Sequence, residues 1–274
     1  MRVQHGFVST RAGGAAHFLD FGGTGRTAVC LHGVTGHAWA WHDVAAELTA
    51  YRRVVALDLR GHGDSSWSAE GDYGTESQVD DLEDLLAVAG PGPVDVIGSS
   101  WGALIGLGFA ARHPGEVASL SIVDIEPSFV QTETDVPERP RFFSSVEEIV
   151  GAERAATGSA PGPMLEVMAH FGTRPAEGGF VRKHDPYFFG RWPFRSDDRW
   201  GELNGLGCPA LLVNAGKTFV QPDVMEKMRA AVDHGQPVRL VRLPEAAHVV
   251  PVDAPADLAR ELIAFFAELD GETD

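Results

Sequence analysis

Short apolar runs alternate with longer amphipathic stretches along most of the chain. Apolar runs of this kind, rich in Val, Ile and Leu, predict strands that are buried on both faces of a sheet. The predicted strands cover residues 28–31, 54–57, 94–97, 120–123, 210–213 and 238–243. Apolar residues at helical spacing predict helices near 40–49, 75–89, 101–112, 222–233 and 255–269. Two short alternating runs, at 3–9 and 15–21, predict a hairpin before the first of these strands. This alternation predicts parallel β-α-β units and a mostly parallel sheet with helices on both faces.

The alternation breaks once, between Asp124 and Cys208. This stretch has no apolar strand run and holds helical patterns among loops rich in Pro, Gly and aromatic residues. We therefore predict a core of residues 1–125 and 208–274, with residues 126–207 inserted after one strand as a helical cap. Ligands of open α/β sheets bind beyond the carboxyl ends of the strands, so an insertion at this point would cover the site.

Composition and charge narrow the class of protein. At 274 residues, with 44% apolar and 22% charged residues, the chain can bury a substantial core. The formal net charge of −17 argues against nucleic acid or an anionic membrane as the main partner. The sequence has neither a signal-peptide pattern nor an apolar run long enough to span a bilayer, so we expect a cytoplasmic protein, either a monomer or a homodimer.

The cysteines indicate the redox environment of the protein, and the spacing of Cys and His residues indicates whether a metal site is expected. Cys30 lies inside an apolar run and Cys208 just before another, which is typical of buried thiols in a reducing compartment. No CxxC motif and no His/Cys cluster with metal-ligand spacing occurs, so we expect neither a metal nor another cofactor. The chemistry is then expected to come from protein side chains acting on a small-molecule substrate.

The strongest chemical motif follows the predicted strand at 94–97. The sequence VDVIGSSWGALIG fits the pattern G-x-S-x-G in one register only, with Ser100 between Gly98 and Gly102. Small residues at those two positions permit the sharp strand-to-helix turn that exposes a nucleophilic serine. We interpret the neighbouring Ser99 as a helix cap.

Three further motifs follow other predicted strands: LHGVTG at 31–36, LDLRGHGDS at 57–65 and PEAAHVVPVDAP at 244–255. Together with GSSWG, they resemble the α/β-hydrolase superfamily along essentially the whole chain. The resemblance implies the α/β-hydrolase fold, a mostly parallel eight-stranded sheet with helices on both faces and an inserted helical cap. It also implies hydrolysis without a cofactor.

The resemblance assigns roles to residues of these motifs. Ser100 is the implied nucleophile, and because a serine hydroxyl needs an adjacent base, His248 is the implied general base and later the acid. The implied oxyanion donors are the backbone N–H groups of Val34 and Trp101. His32 and the polar residues of LDLRGHGDS are expected to be structural.

The carboxylate that orients the base histidine is missing from its usual position in the superfamily. That position follows the penultimate strand, three residues after Gly216, and here it is Phe219. Haloalkane dehalogenases and zearalenone-lactonase-like enzymes instead have their acid after the strand that follows the nucleophile helix, and this strand ends with Asp124. We predict Asp124 as the acid, with Glu126 and Asp223 as the alternatives.

The dehalogenase comparison also bears on the reaction. Dehalogenases have Asp-Trp-Gly where this chain has Ser100, Trp101 and Gly102, and an asparagine halide donor where it has Val34. Without an aspartate nucleophile no alkyl-enzyme ester forms, so the sequence argues against dehalogenase and epoxide-hydrolase chemistry. A serine with a backbone oxyanion hole favours acyl transfer to water.

The insertion carries the signals about the substrate. Residues 126–200 hold 11 of the chain's 24 aromatic residues, some of which are expected to contact an apolar or aromatic substrate. Residues 171–199 hold six Lys or Arg against four acids, which fits either a substrate carboxylate or surface arginines that balance the acidic body. The predicted substrate contacts are Trp39, Phe129, Phe188, Trp192 and Arg191.

These observations predict a serine hydrolase that cleaves a carboxylic ester or lactone of a small, partly apolar molecule through an acyl-Ser100 intermediate. One alternative is hydrolysis of a C–N or C–C bond in a small carboxylated metabolite, as in hydrolases of acetamidomethylene-succinate-type compounds. The other is a ligand-sensing receptor built on the same fold. Sustained ester turnover would favour an enzyme over a sensor.

Overall fold

The computed structural model describes residues 1–90, 92–128, 140–232 and 235–271. Its strands are β1 (Gln4–Ser9), β2 (Ala15–Gly22), β3 (Thr27–Leu31), β4 (Arg53–Leu57), β5 (Val94–Ser99), β6 (Val117–Val123), β7 (Phe142–Phe143), β8 (Thr173–Ala176), β9 (Gly179–Arg182), β10 (Ala210–Lys217) and β11 (Val238–Ala247). Its α-helices are α1 (His42–Leu48), α2 (Thr75–Ala89), α3 (Trp101–Arg112), α4 (Val146–Ala156), α5 (Gly162–Gly172), α6 (Trp200–Asn204), α7 (Pro222–Val232), α8 (Val250–Asp253) and α9 (Pro255–Asp270). Two 3₁₀-helices cover Ala38–Trp41 and Pro186–Phe189.

Eight of the strands form one sheet in the order β1-β2-β4-β3-β5-β6-β10-β11. The pairs β1–β2 and β2–β4 are antiparallel, and the other neighbouring pairs are parallel. The carboxyl ends of β3, β5, β6 and β10 therefore lie side by side at one edge of the sheet. Residues that directly follow these strands meet there, which is where ligands bind in open α/β sheets.

A separate apolar core fills each face of the sheet. Val29 and Leu31 of β3 pack into the core that includes α2, α3 and α7, whereas Ala28 and Cys30 pack into the core that includes α1 and α9. Successive strand residues point to opposite faces, so a strand covered by helices on both sides must be apolar at every position. The mostly parallel sheet with helices on both faces, predicted from the sequence, is confirmed.

Most predicted elements agree closely with the structure. The leading hairpin is β1 and β2, and the helices predicted at 75–89 and 101–112 are α2 and α3 with the same bounds. Both cysteines are free and buried. Among the helices that the structure describes, none is both long enough and apolar enough to cross a bilayer.

The stretch between β6 and β10, residues 126–207, is called the insertion below. Its described part holds α4, α5 and α6, and also an antiparallel sheet in the order β7-β9-β8. The expectation of helices and loops alone was therefore wrong, since β8 (TRPA) and β9 (GFVR) are too short and too polar to give an apolar strand run. Met164, Leu165 and Met168 of α5 pack with Ala40 and Val252, so this helix rests on the core.

Candidate active site

Ser100 lies in the sharp turn between β5 and α3. Its φ of 53° is unusual for a residue other than glycine and marks local backbone strain. The turn is anchored because the N–H of Ser100 donates to the carbonyl of Val123 at 2.8 Å. A Cβ at Gly102 would lie 2.2 Å from the carbonyl oxygen of Leu31, so the start of α3 can approach β3 this closely only with glycine there.

Ser99 does not cap the helix, contrary to our interpretation of the sequence. It is the last residue of β5 and is buried, whereas Ser100 occupies the N-cap position of α3. The side chain of Ser100 makes no capping hydrogen bond. Its hydroxyl is therefore available to another partner.

That partner is His248, which directly follows β11. The Ser100 hydroxyl lies 3.0 Å from His248 Nε2, and His248 Nδ1 lies 2.8 Å from Asp124 Oδ2. A carboxylate only accepts hydrogen bonds, so Nδ1 carries the proton that is donated to Asp124. Nε2 is then the acceptor for the Ser100 hydroxyl. The structure thus brings together Ser100, His248 and Asp124 from the ends of three strands.

Asp124 follows β6 and is completely buried. Its Oδ1 accepts hydrogen bonds from the backbone N–H of Ala215 at 2.9 Å and from Asn214 Nδ2 at 3.3 Å. Its Oδ2 accepts from the Thr218 hydroxyl at 2.6 Å as well as from His248. Neighbouring β10 and the loop after it therefore hold both carboxylate oxygens in place.

The other two candidate acids lie elsewhere. Asp223 lies in the first turn of α7 and pairs with Lys227 at 3.1 Å. Glu126 is partly buried, which raises the pKa of its carboxyl group, and it makes no hydrogen bond to His248. The ring of Phe219 packs against the His248 ring at 4.6 Å between centroids, so an aromatic side chain occupies the place where a carboxylate is usual.

Thr218 and Asn214 were not identified from the sequence as site residues. They lie in the segment NAGKTF, which contains no carboxylate and matches no recognisable motif. A buried carboxylate needs hydrogen-bond donors for its oxygens. Because the acid was predicted at the end of β6, the polar residues at the end of the neighbouring strand were candidates for these donors.

The loop after β3 lies directly against Ser100. A Cβ at Gly33 would be 3.0 Å from the Cβ of Ser100, and Val34 lines the cavity beside it. Trp101 is the first residue of α3, where backbone N–H groups have no partner within the helix and carry a partial positive charge. The two predicted oxyanion donors thus belong to the loop after β3 and to the first residue of α3, both of which lie next to Ser100.

His32 holds this loop in place, as expected for a structural residue. Its Nδ1–H donates to the carbonyl of Gly33 at 2.7 Å, and its Nε2 accepts from the N–H of Leu59 at 3.1 Å. Burial lowers the pKa of His32 to about 4, so its imidazole is neutral at pH 7. Asp58 is also structural, because it accepts hydrogen bonds from His17 and from the N–H of Ala38.

A cavity of about 160 Å³ opens beside Ser100 and His248. Phe188 and Trp192, two of the predicted substrate contacts, lie in its wall. Other apolar lining residues include Val34, Trp41, Ile125, Met168, Phe194 and Phe219. Among the described lining residues, Glu153 is the single carboxylate, and none is Lys or Arg.

Two of the predicted substrate contacts lie outside this lining. Trp39 stacks on Phe171 with 3.8 Å between ring centroids, and the Arg191 guanidinium lies 5.1 Å from the centroid of Tyr187. Both side chains are held by aromatic neighbours on the protein, which the sequence pattern could not reveal. Phe129 lies outside the described residues.

Several cations of the insertion bind acidic groups of the protein. Arg182 pairs with Glu153 at 2.6 Å, Lys183 with Asp64 at 2.7 Å, and Arg199 with Glu202 and with Glu76, each at 2.7 Å. No cation of residues 171–199 lies among the described residues of the cavity wall. Three of the six cations of this stretch therefore form ion pairs within the protein.

Residues 28–255 match the sequence profile of a family described as having the alpha/beta hydrolase fold. The chain belongs to the α/β-hydrolase family. It is 26% identical over 269 residues to esterase Rv0045c of Mycobacterium tuberculosis, covering 94% of this chain and 85% of that esterase. It is 27% identical over 257 residues to N-formylmaleamate deformylase of Pseudomonas putida, covering 92% of this chain and 90% of that deformylase.

Solved structures of other α/β-hydrolases have the same fold. The structure of E-2-(acetamidomethylene)succinate hydrolase superposes with a TM-score of 0.84 and 20% identity, over 97% of this chain and 99% of that one. At this identity the likeness concerns the fold alone. Family membership and the curated relatives together support a general hydrolase activity.

Proposed function

We propose that this α/β-hydrolase is a serine hydrolase that cleaves carboxylic esters or lactones of small, partly apolar molecules. The observation that carries the proposal is the hydrogen-bonded series Ser100–His248–Asp124 beside a mainly apolar cavity. The similarity to an esterase over most of both chains supports the same conclusion.

In the proposed reaction, His248 Nε2 takes the hydroxyl proton of Ser100 while Oγ attacks the substrate carbonyl carbon. The negative charge on the carbonyl oxygen is stabilised by the N–H groups of Val34 and Trp101, each worth about 3–4 kcal/mol by comparison with other oxyanion holes. His248 then gives its proton to the leaving alcohol, and water, activated by His248, hydrolyses the acyl-Ser100 ester. Asp124 holds the tautomer and stabilises the imidazolium.

We also propose that the insertion acts as a cap that defines the substrate pocket. Several of its residues contribute to the cavity wall: Glu153 and Thr157 at the end of α4, Met168 of α5, and Phe188 and Trp192 farther along the chain. In this proposal the core supplies the reacting groups and much of the cavity wall, and the insertion closes the rest of that wall with residues of α4, α5 and the segment around Phe188.

Hydrolysis of a C–N bond is the second candidate. The observation that favours it is the 27% identity to a deformylase across almost the whole of both chains. The described cavity wall offers no Lys or Arg for a carboxylated substrate, which favours the ester proposal. A ligand-sensing role remains the alternative of another class, and it differs from both enzymes in lacking sustained turnover.

The test is steady-state hydrolysis of p-nitrophenyl acetate and butyrate, alongside the matching anilides. We expect sustained ester turnover in the wild type, loss of at least 10³-fold in Ser100→Ala, and retention of at least about a tenth of the activity in Ser99→Ala, the matched control. Anilide hydrolysis faster than ester hydrolysis would favour the C–N alternative. A single burst without turnover, combined with ligand-dependent thermal stabilisation, would favour the sensor.

A further inference from the structure

Glu153 is a buried carboxylate in the cavity wall that the proposed reaction does not use. It lies in the last turn of α4, and its side chain is only 9% exposed. Acidic side chains are seldom buried unless they are paired, and a buried acid inside a substrate cavity calls for a reason. The interactions of its two oxygens supply one.

Arg182 occupies only one of these oxygens. Arg182 Nη1 donates to Glu153 Oε1 at 2.6 Å, while Arg182 Nε donates to the carbonyl of Pro140 at 3.3 Å. The nearby Thr157 hydroxyl donates to the backbone carbonyl of Glu153 at 2.9 Å and not to its side chain. Within the described part of the chain, no donor is hydrogen-bonded to Oε2. Glu153 lines the cavity beside Ser100 and also a smaller polar cavity with Arg182, Lys183 and His184, and Oε2 is an acceptor that a group in the catalytic cavity can use.

The charges around Glu153 limit which substrate group can bind to Oε2. Arg182 already compensates the negative charge, so a neutral donor is sufficient and a second cation is not required. A substrate carboxylate would face the carboxylate of Glu153 and the negative end of the α4 dipole. A hydroxyl group can donate to Oε2 without either penalty.

We propose that Glu153 is a specificity-determining residue whose Oε2 accepts a hydrogen bond from a substrate hydroxyl. The site would then prefer hydroxylated esters or lactones to unsubstituted ones, and would disfavour carboxylated ones. The inference rests on the proposed function, because it concerns the same cavity. A hydrogen bond to a charged acceptor predicts a preference of about tenfold or more in kcat/KM.

The experiment compares matched esters in a pH-indicator assay that needs no chromogenic leaving group. Methyl 3-hydroxybutyrate and methyl butyrate test the acyl side, and 2-hydroxyethyl butyrate and propyl butyrate test the alcohol side. Monomethyl succinate and methyl 4-aminobutyrate supply the carboxylate and ammonium arms. We expect the wild type to prefer the hydroxylated member of at least one pair by about tenfold, and to hydrolyse monomethyl succinate most slowly.

Glu153→Gln reverses the polarity of the group that faces the cavity. Arg182 requires an acceptor, so the amide oxygen faces Arg182 and the amide NH₂ faces the substrate. The hydroxyl preference is expected to fall several-fold, because a hydrogen bond to a neutral amide is weaker than one to a carboxylate, and monomethyl succinate hydrolysis is expected to rise relative to methyl butyrate hydrolysis. Glu147→Gln, an exposed change in the first turn of the same helix, is the control and is expected to keep the wild-type pattern.

Each outcome bears on one proposal. Equal kcat/KM within both pairs in the wild type, or an unchanged preference in Glu153→Gln, would overturn the role of Glu153, as would a preference for methyl 4-aminobutyrate over the hydroxylated esters. Equal wild-type ratios would overturn this role even if Glu153→Gln proves too unstable to assay. Failure of the wild type to hydrolyse any ester would instead contradict the proposed function.

Discussion

Both carboxylate oxygens of Asp124 accept hydrogen bonds from donors of fixed position. Asparagine has an NH₂ group in place of one of these oxygens. In one orientation of the amide the NH₂ faces the N–H of Ala215, and in the other it faces the donors of Thr218 and His248, so either orientation brings two donors together. Asparagine also tolerates the left-handed backbone found here, with φ of 52°, so we expect the variant to fold. Asp124→Asn is expected to lower kcat for p-nitrophenyl butyrate by up to about 10⁴.

Asp223 and Phe219 supply a control and a rescue for this variant. Asp223→Asn changes only an exposed pair with Lys227 and is expected to keep wild-type activity. Phe219→Asp in the Asp124→Asn background would bring a carboxylate near the His248 ring and is expected to restore part of the activity. A fully active Asp124→Asn single variant would contradict the assignment and make Glu126 the next candidate.

Thr218 shares Oδ2 of Asp124 with His248, so we expect it to act as a positioning residue. Thr218→Val keeps the shape of the side chain and removes its donor. One lost hydrogen bond of about 1 kcal/mol predicts a roughly fivefold lower kcat with KM unchanged. Thr218→Ser keeps the hydroxyl and is expected to retain most of the activity. Similar kcat values for the valine and serine variants would show that the hydroxyl has no such role.

At the residue scale, the places of Ser100 and His248 in the fold could be predicted because each directly follows a strand in a recognisable motif. Asp124 could be chosen because the usual position holds Phe219. Glu153 and Thr218 could not be predicted, since their meaning comes from partners far away in the chain: Arg182 for one and Asp124 for the other. Polar contacts between distant segments leave no periodic pattern.

At the scale of elements, the turn between α4 and α5 docks on the segment that carries His248. The N–H of Ser159 donates to Asp253 Oδ1 at 3.0 Å, and a Cβ at Gly158 would lie 2.5 Å from the Cβ of Ala247. Gly158→Ala must therefore displace this turn or the end of β11 next to His248. We expect a several-fold loss of kcat/KM for p-nitrophenyl butyrate.

Gly151 provides the matched control within α4. A Cβ at this position meets nothing within 4 Å, and alanine favours a helix interior over glycine by up to about 1 kcal/mol. Gly151→Ala is expected to raise the melting temperature and leave kcat/KM unchanged. Equal kcat/KM in the two alanine variants would contradict the role given to the α4–α5 turn.

The same scale shows where prediction from sequence succeeds. The core strands and α2 and α3 were predicted closely because burial on one or both faces imposes a regular apolar pattern on them. β8 and β9 were missed because a short sheet in the insertion needs only a few apolar residues and includes Pro175, which interrupts any strand pattern. The pattern of apolar residues therefore predicts which elements are buried, but it does not predict strands that pair without being buried.

For the whole molecule, buried histidines make stability depend on pH. Burial lowers the pKa of His32 to about 4 and that of His62 well below its ordinary value of 6.5. Between pH 6.5 and 4 the unfolded chain therefore binds protons at these positions that the folded protein does not. The free energy of unfolding falls as pH drops through this range, by an amount on the order of 3 kcal/mol for His32.

Urea unfolding of the wild type and His32→Gln at pH 7 and pH 4.5 measures this contribution. We expect the loss of stability between the two pH values to be smaller in His32→Gln, because the variant cannot take up that proton on unfolding. His170→Gln, an exposed change in α5, is the control. An equal pH dependence in His32→Gln and the wild type would contradict a neutral, buried His32.

The proposed reaction requires an acyl ester on Ser100. Rapid quenching of the reaction with p-nitrophenyl butyrate, followed by proteolysis and tandem mass spectrometry, detects and locates such an ester directly. We expect a butyryl group on Ser100 in the wild type and in Ser99→Ala, and none in Ser100→Ala. A butyryl group on Ser99, or sustained turnover in Ser100→Ala, would contradict the proposed reaction.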